Sequence, residues 1–362
     1  MTTEDSIADA VGRASTGSVV PRPTAKLTIR DVAQAAGVSA ATVSRALRGF
    51  DNVDERTRDR ILAVAKTLHY SVSPVASRLA SGRTGTIGIV TPYVGGWYFT
   101  EVFAGIEEGL KRHDMDLLLH TTEDLETLGL PGAAERMRRR VDGALVIGMS
   151  LPRHEIEALA DLQMPVVLLG AIGHGLPSVA IDDRLGARKA VQHLVDLGHT
   201  RIGLVTGREL PTQILPENDR LEGYLDVLTE HGLSASASLR AVGGFTAAGG
   251  ERAMTRLLAR TPRPTAVFCM SDEMAYGAMR ALGRAGLHAG SDRERGDIAI
   301  IGFDGHDLAD AFDLSTIEQP IRILGRSALE LLMTAVGAES PEVKGESLVL
   351  PTELRVRGST SS

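Results

Sequence analysis

The 362-residue sequence has one cysteine, 4% aromatic residues and no long hydrophobic run. A single cysteine excludes an intramolecular disulfide, and the apolar run 266–270 around Cys269 predicts a buried thiol. No stretch approaches the ~18 consecutive apolar residues of a membrane-spanning helix, so we expect no membrane partner. The remaining composition is that of a globular protein, long enough for a small head and one or two core-sized units.

Motifs that carry catalysis or hold a cofactor are also missing from the sequence. There is no glycine-rich dinucleotide fingerprint, no phosphate-binding loop and no pair of zinc-binding histidines. The glycine pairs at 243–244 and 249–250 have the wrong spacing for the dinucleotide fingerprint. We therefore expect a protein that is not an enzyme and that uses no cofactor and no metal.

The beginning of the sequence lacks a signal for export. Residues 1–25 contain acidic, serine and threonine residues, and no apolar segment of the kind that a secretory signal needs. We expect this segment to be a disordered leader and the protein to be cytoplasmic.

Charge is distributed unevenly along the chain, whose net charge is −7. Residues 26–83 hold ten basic and five acidic side chains, whereas residues 84–362 hold 27 basic and 38 acidic ones. A basic head on an acidic body favours the binding of a polyanion at one end of the protein. Charge alone also fits random variation, and the motifs of the head decide between the two interpretations.

Local patterns in residues 26–72 predict three helices. Thr28 is suited to cap the first helix, with Asp31 as the acidic partner of a capping box. Ser39 is suited to cap a second helix over residues 40–47, and a third helix should begin near Asp54. We expect the third helix to bury Ile61, Leu62, Ala65 and Leu68.

The spacing of small residues in the first two helices is typical of a helix-turn-helix. Ala33 permits a close approach, Gly37 makes the turn and Val43 fixes the second helix, although unrelated helical hairpins share this spacing. The surface of the second helix is small, hydroxylic and cationic, which suits a DNA major groove, whereas ordinary solvated faces carry paired Glu and Lys. The expected DNA contacts in the head are Thr28, Ser39, Ala40, Ala41, Thr42, Ser44, Arg45 and Arg48.

Two stretches of the head resemble the lactose-repressor family of bacterial transcriptional regulators. They are LTIRDVAQAAGVSAATVSRAL at residues 27–47 and VDERTR at residues 53–58. The resemblance implies base contacts from Ala40, Ala41 and Arg45. Arg48 departs from the asparagine that the family usually has at this position, and it adds a cation there.

The segment after the head is assigned as a hinge, over residues 73–83. Pro74 can begin a helix of eight residues, which is too short to be stable in isolation and should fold only on binding. The resemblance implies that two such helices pair on DNA and that Leu79 enters the minor groove as an apolar wedge, beside Arg78 and Ala80. The alternative is a flexible linker.

From residue 84 onward, short apolar runs alternate with helical patterns. This alternation predicts parallel sheets that are covered by helices on both faces. Nine strands would crowd a single sheet, so we predict two doubly wound lobes within residues 84–362. The predicted strands are 87–90, 117–120, 144–147, 166–169, 179–181, 202–205, 239–242, 266–268 and 298–301.

The family resemblance extends over these residues and implies a periplasmic-binding-protein type I core with a ligand between its lobes. Matching motifs stand at 182–187, 197–202, 220–224, 271–275, 302–304 and 350–354. The expected fold is therefore an all-α helix-turn-helix head joined to an α/β core of two doubly wound parallel-sheet lobes. Ligands of such sheets bind at the carboxyl ends of the strands.

Residues that directly follow predicted strands are the candidate ligand contacts. Three consecutive aromatic residues suit stacking on a sugar ring or a base, although the last of them, Phe99, could instead pack between the lobes. Of two adjacent aspartates, we assign Asp183 as a helix cap and keep the preceding one as a candidate. The expected effector contacts are Trp97, Tyr98, Phe99, Asp182, Arg220, Ser271 and Asp304.

These observations and the resemblance predict a homodimeric repressor that binds a near-palindromic operator and responds to a small-molecule effector. Sugars are the commonest effectors of the family, and the aromatic cluster is compatible with one. A purine corepressor is the alternative ligand. A solute-binding protein would share the two-lobed fold but would leave residues 26–83 unexplained.

Overall fold

A computed structural model of the protein describes most of the predicted helices and strands. The described residues are 27–47, 52–68, 70, 83–92, 94–121, 132, 135–149, 153–162, 164–172, 175–207, 216–290, 297–338 and 345–361. The predicted leader, the predicted hinge helix with Arg78, Leu79 and Ala80, and Arg48 lie outside these residues. The chain divides into two compact units, Met1–Gly82 and Arg83–Ser362, which we call the head and the body.

The described part of the head consists of helices α1 (Ile29–Ala36), α2 (Ala40–Leu47) and α3 (Glu55–Thr67). Gly37 makes the turn between α1 and α2 with a φ of 66°, in the left-handed region that glycine enters without steric cost. The helices enclose a small apolar core formed by Val32, Ala33, Ala36, Val43, Ala46, Val53, Ile61 and Ala65.

One prediction for the head core is wrong, because Leu62 is 45% exposed. The buried stripe of α3 passes through Ile61 and Ala65, which lie four residues apart on one face. Leu62 directly follows the first of them and is therefore turned away from the core. Leu68, at the end of the helix, is only partly buried.

All three helices of the head begin as the sequence predicts. Asp31 accepts hydrogen bonds from the backbone N–H and the hydroxyl of Thr28, at 2.7 and 2.8 Å. The hydroxyl of Ser39 accepts a hydrogen bond of 3.1 Å from a backbone N–H in the first turn of α2. Asp54 caps α3 in the same way at 3.0 Å. Each cap satisfies a backbone donor that the helix itself leaves unpaired.

Lobe 1 of the body contains a six-stranded, wholly parallel sheet. Its strands are β1 (Thr86–Thr91), β2 (Asp116–Thr121), β3 (Gly143–Ile147), β4 (Val166–Leu169), β5 (Ser178–Ile181) and β11 (Ser347–Leu350). Their spatial order is β11-β5-β4-β3-β1-β2. The helices of this lobe are α4 (Gly96–His113), α5 (Arg153–Ala160) and α10 (Ile321–Gly337).

Lobe 2 repeats the same strand order in a second six-stranded sheet. Its strands are β6 (Ile202–Thr206), β7 (Arg240–Val242), β8 (Ala266–Cys269), β9 (Ala299–Asp304), β10 (Ser315–Glu318) and β12 (Glu353–Arg355). The order is β12-β10-β9-β8-β6-β7, and only β12 runs antiparallel to its neighbour. The helices of this lobe are α6 (Asp183–Asp196), α7 (Pro216–Glu230), α8 (Ala247–Leu258) and α9 (Asp272–Arg284).

All nine predicted strands are present, and β10, β11 and β12 join them. The chain passes between the lobes three times: between β5 and α6, between β10 and α10, and between β11 and β12. Each lobe is thus assembled from separate stretches of sequence. Within the described residues, no helix is long and apolar enough to cross a membrane.

Glycines allow the helix pair on lobe 1 to pack backbone against backbone. A Cβ at Gly105 of α4 would overlap the carbonyl oxygen of Arg322 in α10, and a Cβ at Gly325 of α10 would overlap the carbonyl oxygen of Val102 in α4. The two helices therefore approach more closely than any larger residue at these positions would permit.

We expect Gly105→Ala to lower the free energy of unfolding of the body by about 1–3 kcal/mol, because the added methyl group forces α4 and α10 apart. Gly283→Ala in α9 is the matched control. Its Cβ would meet nothing within 4 Å, so the better helix propensity of alanine should raise that free energy by up to about 1 kcal/mol. Denaturant unfolding followed by circular dichroism measures both. Equal stabilisation by the two substitutions would contradict the close packing.

Candidate functional site

The candidate DNA-binding surface is the outer face of α2 in the head. Ala41 and Arg45 are exposed on it, while Val43 and Ala46 point into the core. The other predicted contacts of the head lie around this face or at a helix start: Ser39 and Thr28 are exposed, and Ala40, Thr42 and Ser44 are half-buried.

The hydroxyl of Ser39 lies 2.8 Å from that of Thr42 and also caps α2. The start of α2 therefore presents small and hydroxylic groups beside a helix N-terminus, whose partial positive charge attracts phosphate. Arg45 follows one turn and a half along the same helix. This arrangement is suited to phosphate contacts at one end of the helix and to a base contact from the guanidinium.

The candidate effector residues of the body gather at the carboxyl ends of the parallel strands. In lobe 1, β1 lies between β2 and β3, and in lobe 2, β6 lies between β7 and β8, so the strand order reverses at β1 and at β6. The helices that follow β1 and β3 therefore leave from opposite faces of the sheet and open a crevice, and so do the helices that follow β6 and β8. Trp97 follows β1, Arg220 follows β6, Ser271 follows β8 and Asp304 ends β9. The two crevices face each other, because Trp97 of lobe 1 contacts His306 of lobe 2 there.

Three aromatic side chains of lobe 1 have different positions in this region. Trp97 is half-buried and stacks on His306 of lobe 2, with ring centroids 4.6 Å apart. Tyr98 is half-buried and meets Phe99 edge-on at 5.3 Å. Phe99 is 6% exposed and packs into the lobe 1 core against Gly148. Trp97 is thus the ring that bridges the lobes.

Arg220 is the charged centre of lobe 2. It is 9% exposed, and its Nε donates to Asp183 at 2.6 Å, while its Nη1 donates to the carbonyl of Met270 at 2.6 Å. Asp304 lies 3.8 Å from Nη1, and the guanidinium stands 3.8 Å above the ring of Phe303. Two buried carboxylates therefore share one buried cation.

Burial and charge oppose each other in this cluster. Burial raises the pKa of Asp183 and of Asp304, although Arg220 beside them favours their charged forms. Burial also opposes the charge of Arg220, but attraction by the two aspartates prevails and raises its pKa.

The prediction that Asp183 caps the following helix is wrong. Asp182, not Asp183, is the cap of α6, because it accepts a hydrogen bond of 2.8 Å from the backbone N–H of Leu185. Asp183 is the buried partner of Arg220. The sequence could not separate them, since either residue fits a cap and only the approach of α7 decides which one meets the arginine.

Ser271 and Asp304 are both engaged within the protein. The hydroxyl of Ser271 caps α9 by accepting a hydrogen bond of 3.3 Å from Met274 N–H. Asp304 accepts a hydrogen bond of 2.7 Å from Gln319 Nε2 and has a φ of 127°, which is unusual for a residue other than glycine. The backbone at the end of β9 is therefore strained at a candidate binding residue.

A residue that the sequence did not single out orders the loop after β9. Asp272 is fully buried, and one of its oxygens accepts hydrogen bonds from Gly305 N–H at 2.9 Å and His306 N–H at 2.8 Å. Its other oxygen accepts a hydrogen bond of 2.6 Å from the hydroxyl of Thr316. Burial raises the pKa of Asp272 to about 7. Only its place inside the motif at 271–275 could have drawn attention to it.

Glu273, the next residue, was also missed. Its carboxylate lies against Gly96 of the opposite lobe, and the backbone N–H of Trp97 favours its charged form and lowers its pKa. Within the described ranges, no group of three or more His, Cys, Asp or Glu side chains could hold a metal ion.

Comparison with known proteins gives the same two-part organisation. Residues 28–73 match the family of bacterial regulatory proteins, lacI family, and residues 191–360 match the periplasmic binding protein-like domain. Catabolite control protein A of Priestia megaterium is 33% identical over 339 residues, which cover 92% of this chain and 99% of that protein.

Two solved structures share the fold over nearly the whole chain. The lac repressor dimer bound to operator and the anti-inducer ONPF has a TM-score of 0.80 at 27% identity, with 93% of this chain and 99% of that chain covered. The complex of the transcriptional regulator CelR with cellobiose has a TM-score of 0.65 at 29% identity, with 92% and 99% covered.

Proposed function

The chain belongs to the lacI family of bacterial regulatory proteins, and from this we propose that it is a transcriptional repressor controlled by a sugar. In this proposal a homodimer binds a near-palindromic operator through α2 of each head, because two heads related by a two-fold axis meet mirrored half-sites. A sugar in the crevice between the lobes changes the affinity for DNA. The surface of α2, on which Ala41 and Arg45 are exposed, is the single observation that carries the proposal.

The polar groups of the crevice support a sugar as the effector. Within the described residues, the buried indole N–H of Trp97 and the buried hydroxyl of Tyr276 have no hydrogen-bond partner, and both rings contact His306. Buried donors without partners are costly, so a bound molecule with several hydroxyl groups would stabilise them. Asp304 and Arg220 add a carboxylate and a cation nearby, and Trp97 offers an aromatic face. The solved relative with cellobiose favours the same class of ligand.

An exposed apolar edge in lobe 1 supports the homodimer. Strand β2 lies at the edge of its sheet, with Leu117 and Leu119 exposed at 44% and 41%. Together with Val94 and Phe103, they line an open groove of about 670 Å³. Exposed apolar edge strands favour association, and natural proteins usually cover them. A second copy of the chain is the occupant we propose, and the solved lac repressor, which shares the fold, is a dimer.

The hinge residues Arg78, Leu79 and Ala80 complete the proposal, with Leu79 as a minor-groove wedge. Like Arg48, they lie outside the described residues, so their roles stay predictions from the sequence. Leu79→Ala should weaken operator binding without changing sugar binding by the DNA-free protein.

Selection from a random duplex library followed by release assays tests the proposed function. We expect the full-length protein to enrich a near-palindromic sequence. Single sugars and purine nucleosides are then added separately to the complex, and fluorescence anisotropy of the labelled duplex reports binding. A response to sugars alone supports the proposal, and a response to purines alone would replace the sugar with the alternative ligand. Failure to enrich any sequence would contradict the proposal that the protein is a repressor.

Arg45→Ala should cost roughly 1–3 kcal/mol of operator affinity and relax the preference at one base pair of each half-site. Arg48→Ala serves as the comparison, because loss of a phosphate contact weakens binding to all sequences and makes the salt dependence shallower. Titrations of the enriched duplex and of random DNA at several salt concentrations measure both effects. An equal loss on both duplexes for Arg45→Ala would remove its base-reading role.

A further inference from the structure

Helix α4 begins at the crevice without a capping side chain of its own. Its N-cap residue is Gly95, which carries no side chain, and its first residue is Gly96. The first turn of a helix nevertheless has backbone N–H groups without partners inside the helix, and its partial positive charge favours an anion. An acceptor for these groups must therefore come from elsewhere.

Glu273 of lobe 2 supplies that acceptor. Its carboxylate is half-buried and lies so close to Gly96 that a Cβ there would be 3.2 Å from Oε2. Burial raises the pKa of Glu273, and the backbone N–H of Trp97 opposes this change. Glu273 is itself in the first turn of α9, so one side chain connects the starts of two helices in different lobes.

The side chain of Trp97 is also held by a second residue of lobe 2, His306. The ring of Trp97 stacks on His306 with an angle of 24° between the planes, and the ring of Tyr276 meets His306 edge-on with ring centroids 5.3 Å apart. His306 cannot move freely, because its backbone N–H is bound to Asp272. Burial lowers the pKa of His306, which favours a neutral ring against the indole.

We propose that Glu273 is a positioning residue that caps α4 from the opposite lobe and, with His306, forms a latch on Trp97 that holds the lobes together. The latch acts through Trp97. It deepens the proposed function, because any effector that contacts Trp97 changes the same set of interactions. An effector could in this way alter the balance between lobe arrangements.

Acrylamide quenching of the intrinsic fluorescence tests the latch in the full-length protein, since Trp97 is the single tryptophan of the chain. We expect Glu273→Ala to favour the separated lobes by about tenfold, because a hydrogen bond to a charged group is lost. The Stern–Volmer constant of Trp97 should rise accordingly. Glu273→Gln keeps an acceptor oxygen at the same distance and should restore most of the protection. The assay needs neither DNA nor a sugar, so its result is independent of the proposed function.

Glu222→Ala is the matched control, because Glu222 is an exposed glutamate of lobe 2 that pairs with Arg184 of the same lobe. Glu273→Asp keeps the charge but shortens the reach, so it should behave as Glu273→Ala and serves if the alanine variant folds poorly. Unchanged quenching in both short variants would overturn the latch. Equal quenching in Glu273→Ala and Glu273→Gln would overturn the cap, since the amide oxygen can accept the same N–H.

Discussion

Arg220→Ala is expected to lower the free energy of unfolding of the body by about 3–5 kcal/mol at neutral pH, because it leaves buried carboxylates without their cation. Asp183 would lose a charge-assisted hydrogen bond of 2.6 Å, and Asp304 would lose its nearest cation. The carbonyl of Met270 would also lose its donor. Urea unfolding of wild type and variant, followed by circular dichroism, gives the difference.

Arg184→Ala is the matched control for this prediction. Arg184 pairs with Asp226 through two hydrogen bonds of 2.7 and 2.9 Å, but it is half-exposed, and exposed pairs contribute little because water and salt screen them. Its loss should leave the free energy of unfolding nearly unchanged. If the two alanine variants lose the same stability, burial is not what makes the Arg220 cluster important.

The pH dependence of Arg220→Ala has a definite sign. Burial already raises the pKa of Asp183, and removal of Arg220 takes away the attraction that favours the carboxylate. In the variant the buried group therefore binds a proton more readily than in wild type. The loss of stability should be full at high pH and should shrink as the pH falls and the unpaired carboxylate becomes neutral. A loss that grows on acidification would contradict this account.

Asp272→Ala is the second large effect that we expect, with a loss of about 3 kcal/mol or more in the free energy of unfolding. The reason is that the N–H groups of Gly305 and His306 and the hydroxyl of Thr316 lose their common acceptor, and a buried unsatisfied donor costs about 1–3 kcal/mol. Asp196→Ala is the control, because this aspartate is exposed and accepts a surface hydrogen bond from Gln192. A similar loss in both variants would contradict the buried network.

Asp272→Asn separates the charge from the hydrogen bonds. Burial raises the pKa of Asp272 in the folded protein to about 7, above the ~3.9 of an unfolded chain. The stabilising contribution of such a group is complete below the unfolded pKa and is lost as the pH rises through the folded pKa. Asparagine does not titrate, so the deficit of Asp272→Asn against wild type should be smaller at about pH 8 than at about pH 5. A deficit independent of pH would show that Asp272 stays ionised.

The elements with a strong apolar pattern could be predicted from the sequence, and the three missed strands show why others could not. β10 begins with Ser315 and Thr316, whose side chains are polar but fully buried. Their hydroxyls donate hydrogen bonds to the carbonyl of Arg357 and to Asp272, respectively, which makes this burial possible. β11 and β12 are short and largely exposed at the sheet edges. Their pairing depends on partners more than 30 residues distant in sequence, which local patterns do not reveal.

The same limit applies to the candidate site. Residues directly after strands were found, because strand ends are visible in the sequence as the ends of apolar runs. Glu273 and His306 were missed, since their importance comes from an approach between two lobes that no local spacing encodes. Asp182 and Asp183 are neighbours in the sequence, but a shift of one residue at the start of α6 makes the first a cap and the second the partner of a buried ion pair.

The three passages of the chain between the lobes also constrain how the body is made during translation. Strands β3, β4 and β5 are complete by Ile181, yet α10, the helix that packs on them, begins only at Ile321. A growing chain must therefore keep an apolar sheet face uncovered while about 140 more residues leave the ribosome at roughly 5–20 residues per second. The last strand of each sheet, β11 and β12, then emerges within nine residues, at 347–355, so both lobes reach completion almost together. A nascent chain that stalls before residue 321 is consequently a natural target for chaperones.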